Sequence, residues 1–206
     1  IKYIIPASAI LVIAIIVSVF LIKNSSGSPT LENPGYNAPQ VTEDPYVSTV
    51  TFPEGFTVTQ IAEKLEENSV CSKEDFLNAV GNPYEQILQE LGIENKEDRI
   101  FTLEGYIFPD TYEFYKGESA SSVVQRFIDN YRVKISESDR LRAAELGYTM
   151  DEIITIASII QEEAGRPEQD AKVSSVLHNR LNSTRYKSLQ CDVTVNYINN
   201  YVTDSP

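Results

Sequence analysis

The sequence predicts an α+β protein with an N-terminal transmembrane helix, a small strand–helix–helix module, and a mostly helical later part with short strands. Three observations predict it. A long uncharged run, "IIPASAILVIAIIVSVFLI" (4–22), precedes everything else. An alternating stretch, "STVTF" (48–52), stands directly before two capped helical patterns. From about residue 119 onward, apolar residues recur at helical spacing between Ser, Thr and Gly punctuation. With 206 residues and 42% hydrophobic content, the chain can build one ordinary domain plus appendages.

The run from Ile4 to Ile22 would span roughly 28 Å as a helix, enough to cross the hydrocarbon core. Lys2 and Lys23 bracket it almost symmetrically, so charge does not orient it. A cleaved signal peptide competes, but the run exceeds a usual h-region and "KNSSGSPT" offers no clear cleavage site. Residues 1–23 are therefore expected to be an uncleaved anchor, placing the rest outside the cytoplasmic membrane. Residues 24–47, rich in Ser, Pro, Gly and Asn, read as a flexible linker.

After the strand at 48–52, Thr57 is placed to N-cap a helix with Gln60 at the capping-box position. Val58, Ile61, Ala62 and Leu65 share one face of it. Ser72 caps a second helix through Phe76, Leu77 and Val80, and a third is expected from Pro83 to Leu91. Strand, helix and helix in so short a span resemble a LysM-type unit, a glycan-binding fold. Residues 48–99 are assigned to this module and its connecting helix. "LEGYIFPDTYEF" (103–114) follows, dense in aromatics and turn formers. Further helices are expected from Ser119 to about Ile135 and from about Ser138 to Leu146, ending at Gly147.

Formal net charge is −13 with a pI near 4.5, which repels phosphate backbones and argues against nucleic acid as a partner. The two cysteines, Cys71 and Cys191, lack metal-site spacing; they read as isolated thiols, with a disulfide as the alternative. The single histidine, His178, excludes the commonest zinc sets and reads as a partly exposed helix residue.

"TMDEIITIASIIQEEAG" (149–165) carries its own punctuation: Thr149 caps, Glu152 completes the capping box, and Gly165 with Pro167 stops the helix. At 100° per residue with Ile156 at zero, Ile153, Ala157, Ile160 and Ala164 fall between roughly 40° and 100°. Glu163 falls at about −20°, inside the apolar arc, and Glu162 near −120°, almost opposite it. Glu162 is thus expected to be solvated and Glu163 to face the interior or a cleft. Apolar walls and the C-terminal end of a helix dipole both disfavour a negative charge, which suits a general acid. The alternative is a buried structural glutamate paired with a cation. "PEQDAKVSSVLHNRLN" forms a second helix. In "SLQCDVTVNY", Gln190, Asp192, Thr194 and Asn196 alternate with apolar residues, as in an extended segment with one polar face.

Four of these motifs, "LEGYIFPDTYEF", "IASIIQEEAG", "AKVSSVLHNRL" and "LQCDVTVNY", stand in an order and spacing that resemble the MltG/YceG-like endolytic murein transglycosylases. The resemblance covers roughly residues 48–206 and assigns residues 100–206 to a catalytic domain, read as C-terminally truncated. It implies cleavage of the β-1,4 bond between N-acetylmuramic acid and N-acetylglucosamine in peptidoglycan glycan strands. In that family the acid is the second carboxyl-bearing position after the Ser-Ile-Ile run, which is Glu163 here, with Gln161 at the first. Gln161 and Val193 depart from the family pattern, which usually has an acid and a proline there. Gln190, Asp192 and Thr194 are the expected sugar contacts, and Glu104, Tyr106 and Asp110 are expected to support the acid or shape the cleft. No metal or organic cofactor is implied. Cell-wall synthases are implied as partners by the resemblance alone. A hydrolytic muramidase with Asp192 as nucleophile or base, and a membrane-anchored glycan-binding protein without turnover, are the rival readings.

Overall fold

The structure is a computed structural model that describes residues 44–94, 97, 99–186 and 188–202. The expected anchor and most of the linker lie outside the described residues; within them, no helix is long and apolar enough to cross a membrane.

The chain is α+β. Strand β1 (Val47–Phe52) pairs antiparallel with β2 (Asp110–Tyr115), Val47 opposite Tyr115 and Phe52 opposite Asp110. The alternation is two-faced. Val50, Phe52, Tyr112 and Phe114 point into the core, while Thr49, Thr51, Thr111 and Glu113 face water. β2 was not foreseen: the density of turn formers in 103–114 masked the period-2 pattern of its last residues.

Two helices follow β1. α1 (Val58–Glu67) starts at a complete Thr57/Gln60 capping box, and α2 (Lys73–Gly81) starts at Ser72, whose side chain accepts from Asp75 N. The buried face of α1 is the expected one, Val58, Ile61, Ala62 and Leu65. Beyond α3 (Glu85–Leu91) the chain crosses back through 101–109 to form β2. The module expected in 48–99 is thus closed by a strand from beyond residue 99.

α4 (Ala120–Lys134) seals the sheet with Phe127. Its ring lies 4.7 Å from Tyr112, 5.6 Å from Phe52, 5.7 Å from Phe114 and 5.9 Å from Phe76, all edge-on. Such pairs add about 0.5–1.5 kcal/mol each beyond the area they bury.

α5 (Glu137–Glu145) leads through Gly147 into α6 (Met150–Ala164). α6 begins at the Thr149/Glu152 capping box and ends at Gly165, which takes a left-handed φ of 60°. A 3-10 turn (Pro167–Gln169) precedes α7 (Asp170–Leu181). The segment expected to be extended is instead a short helix, α8 (Asp192–Tyr197), continued by a π-helical turn over Ile198–Val202. A six-residue stretch is too short for period alone to separate strand from helix, and tertiary ties decide it.

Two hydrophobic clusters result. The larger runs from Val50 to Ile154; the smaller joins Ile156, Ile160 and Ala164 of α6 to Leu177 of α7.

Candidate functional site

α6 has two working faces, whereas the sequence suggested one. Ile156, Ile160 and Ala164 pack toward α7. The other face, with Ile154 and Ser158, receives the 101–109 loop. Gly105 approaches so closely that a Cβ there would sit 3.2 Å from Ile154 Cγ2, and its φ of +86° further demands glycine. The loop is pinned at its start, where Thr102 Oγ1 donates to Gly81 O (2.7 Å).

Glu162 lies on that second face. Its Oε1 is 3.5 Å from where a Gly55 Cβ would stand, in the turn between β1 and α1. Glu162 is exposed, as expected, and its carboxylate also lies close to Gly55 and to Glu104 of the 101–109 loop. Glu163 is also exposed, so the apolar walls expected around it are absent. It lies on the α8 side of the helix, close enough to Cys191 for its charge, after burial, to help push that thiol's pKa up.

Between the two sides stands Glu104. Its carboxylate accepts the Val58 N–H at 3.1 and 3.2 Å and the Tyr197 hydroxyl at 2.6 Å. Burial pushes its pKa above the ordinary glutamate value. The Glu162 charge acts in the same direction, and the hydrogen bonds from Tyr197, Val58 and Gly105 oppose both. Tyr197 is pushed up in turn by burial and by this carboxylate. Sequence reasoning missed Tyr197. The only available signal was its place at the end of "CDVTVNY".

Of the expected sugar contacts, Gln190, Asp192 and Thr194 are all exposed around the start of α8. Gln190 takes a φ of +53°, an unusual conformation for a side-chain-bearing residue, in the turn that launches the helix. Asp192 is the first helical residue, and Thr194 Oγ1 donates to Cys191 O at 3.0 Å. The extended polar face is therefore replaced by a helical start, on which residues two apart no longer share one face as they would on a strand.

Two expected site residues sit elsewhere. Tyr106 is fully buried, with its hydroxyl donating to Asp151 Oδ1 (2.5 Å) in the first turn of α6, where Arg99 also pairs with Asp151. It offers no surface to a sugar. Asp110 pairs with Lys134 (3.0 Å) and accepts from Asn130 at 3.4 Å; burial raises its pKa, but Lys134 and its hydrogen bonds hold it below the ordinary value. Lys134, Asn130 and the Thr111 N–H, which contact it, belong to β2 and α4. Of the aromatics, Tyr112 and Phe114 are core, and Phe108 is partly buried against Tyr131.

His178 is half-buried, its Nδ1 2.8 Å from Ser174 O, and Cys71 and Cys191 are free thiols. Among the described residues no group of His, Cys, Asp or Glu is arranged to hold a metal ion. A depression of about 500 Å³ lined by Glu85, Leu88, Gly92, Ile93 and Glu94 shares no residue with the carboxylate cluster.

Comparison with known proteins places this geometry. The profile of the YceG-like family matches residues 32–205. The chain is 28% identical over 182 residues to the endolytic murein transglycosylase of Streptococcus pneumoniae strain D39, covering 81% of this chain and 32% of that protein. It is 27% identical over 161 residues to the endolytic murein transglycosylase of Bacillus subtilis strain 168, covering 74% and 44%. The chain therefore spans about a third of the pneumococcal relative and under half of the Bacillus one. A crystal structure of a YceG-like protein from Listeria monocytogenes superposes with a TM-score of 0.63 at 26% identity, covering 77% of this chain and 54% of that one.

Proposed function

Because the chain belongs to the YceG-like family, we propose that it is part of an endolytic peptidoglycan lytic transglycosylase that cuts the MurNAc–GlcNAc β-1,4 bond within nascent glycan strands. Glu163 is the acid. It protonates the glycosidic oxygen of the leaving GlcNAc, then takes the proton from the C6 hydroxyl of the same MurNAc. That oxygen attacks the anomeric carbon, leaving a 1,6-anhydro-MurNAc end and a free 4-hydroxyl on the other fragment. No water is consumed. The nucleophile belongs to the substrate, so the second enzymic carboxylate of ordinary glycosidases is not required.

The observation that carries this reading is the gathering of Glu163, Glu162 and Glu104 with the start of α8 at one end of α6. The site is open, which suits a polymer bound along its length rather than at its end. A glycan strand lying there would itself exclude water from Glu163 and supply the desolvation the free protein lacks. Gln190, Asp192 and Thr194 contact sugar hydroxyl and N-acetyl groups. The β1–α1–α2–β2 unit serves as a LysM-like glycan-holding element. The uncharged run at 4–22 anchors the protein in the cell membrane with the catalytic part outside the cytoplasm, beside the synthases whose strands it shortens.

The test is mass spectrometry of uncrosslinked glycan strands digested by the full-length protein and by its Glu163→Gln form. Anhydro-MurNAc ends should form with the first and fall at least about a hundredfold with the second, the scale of a lost general acid. Reducing ends would support a hydrolase using Asp192. Intact strands that still bind would support a glycan-binding protein without turnover.

A further inference from the structure

α8 is weakly rooted. None of its residues is buried, and among the described residues the small cluster packs on Leu189 and Cys191, which precede it. The turn that launches it runs through Gln190 at a φ of +53°, a strained conformation that persists only where the surroundings over-determine it. On one side of that turn, the Arg180 guanidinium donates to the Leu189 carbonyl. On the other, the last residue of α8 is tied back across the molecule: Tyr197 Oη donates to Glu104 Oε2 at 2.6 Å. Glu104 is in turn fixed by the Val58 N–H in the first turn of α1. One carboxylate therefore joins the 101–109 loop that carries it, the start of α1 and the end of α8.

We propose that Glu104 and Tyr197 form a latch that sets α8, and with it Gln190, Asp192 and Thr194, in position beside the carboxylates at the end of α6. The inference rests on the function proposed above for those residues. The hydroxyl-to-carboxylate bond is short and partly buried, and it strengthens where the carboxylate is ionised. No residue of α8 is fully buried, and Tyr197 is half-buried beside the Tyr201 ring at 5.9 Å, so packing absorbs only part of the bond's loss. Glu104 and Tyr197 are positioning residues. Their removal weakens the grip on the glycan, whereas removal of Glu163 strikes the chemical step.

The two free thiols supply an internal gauge. Cys191 is the N-cap of α8, while Cys71 packs against the large cluster just before α2. In the full-length protein, the alkylation rate of Cys191 relative to Cys71 should rise about tenfold in Tyr197→Phe, the scale of a lost hydrogen bond to a charged group. Glu104→Ala should do the same, and Glu104→Gln, which keeps one acceptor oxygen, should fall between it and wild type. With glycan strands, Tyr197→Phe should raise KM about tenfold and change kcat less than about threefold. Tyr197 belongs to neither hydrophobic cluster, so this variant keeps the fold. An unchanged thiol ratio in Tyr197→Phe overturns the latch. A raised ratio with unchanged KM overturns its positioning role. Should Glu163→Gln retain full turnover, the proposed function fails instead, and the thiol ratio alone decides the latch.

Discussion

Residues 47–135 and residues 156–202 are held together in different ways. In the first region Phe52, Phe76, Phe114 and Phe127 are at most 2% exposed and meet edge to face around Phe127. In the second, the buried apolar set is Ile156, Ile160, Ala164 and Leu177, while Val176, Leu181, Val195 and Ile198 lie exposed. Polar ties do much of the holding there: Arg180 to Leu189 O, and Tyr197 to Glu104. α6 belongs to both, giving Ile154 to one cluster and Ile156 and Ile160 to the other. The lesson is a division of labour. The aromatic core fixes a platform, and the candidate chemistry sits on an edge whose placement depends on a few directed bonds.

The largest effect should separate the two regions by truncation. Phe127→Ala, which empties the centre of the aromatic cluster, should cost about 3–5 kcal/mol of unfolding free energy. Ile160→Ala should cost about 2 kcal/mol, because its thinly covered surroundings can partly collapse into the gap. Urea unfolding of both variants checks this. Equal losses, or a larger one for Ile160, would mean the second region is as tightly built as the first.

The same contrast explains what the sequence made legible. The caps at Thr57, Ser72 and Thr149, and the stop at Gly165, are local devices, and the structure has each of them. The buried face of α1 follows from period alone, because a single apolar arc meets a single core. α6 broke that rule. Its second face packs on a loop some fifty residues earlier, so Glu162, though exposed, also lies beside Gly55. α8 broke it too, since a helix with nothing buried writes no apolar period. Within the site, the sequence grouped Glu163 with the start of α8 and set Glu162 apart as a solvated residue. The tie between Glu104 and Tyr197 was not legible, because a contact across 93 residues leaves no local trace.

A smaller effect tests the junction between the regions. Gly105 and Gly147 both take positive φ, +86° and +79°, but only Gly105 has a neighbour in the way, Ile154 Cγ2 at 3.2 Å. Gly147→Ala should therefore cost only the backbone strain, about 1–2 kcal/mol. Gly105→Ala should cost that and a further ~1 kcal/mol or more, as the loop lifts from α6. The two midpoints in urea give the comparison. If the costs match, the loop yields freely and the second face of α6 is not a firm contact.

The smallest effect is one of pH, and it isolates the carboxylate on which the edge depends. Burial raises the Glu104 pKa in the folded state, with the Glu162 charge acting the same way and Tyr197, Val58 and Gly105 opposing. A raised value means that the folded protein binds this proton more tightly than the unfolded chain does. The stabilisation from that proton is fully present below the ordinary glutamate range and is lost as pH rises through the folded value. Asp110, Glu90 and Glu118 have lowered values and work in the opposite sense, losing their stabilisation as pH falls. The whole protein's acid profile therefore mixes the two. Glu104→Gln removes only the first, so the difference between wild type and variant isolates it. Wild type should gain stability relative to Glu104→Gln as pH is lowered from about 7 toward the ordinary glutamate value near about 4.3. Tm of both proteins across that range is the measurement. A difference that stays flat would mean the hydrogen bonds from Tyr197, Val58 and Gly105 just offset the burial. One that grows in the variant's favour on acidification would mean the hydrogen bonds from Tyr197 and Val58 outweigh burial, and that the ionised form is the one the fold is built to hold.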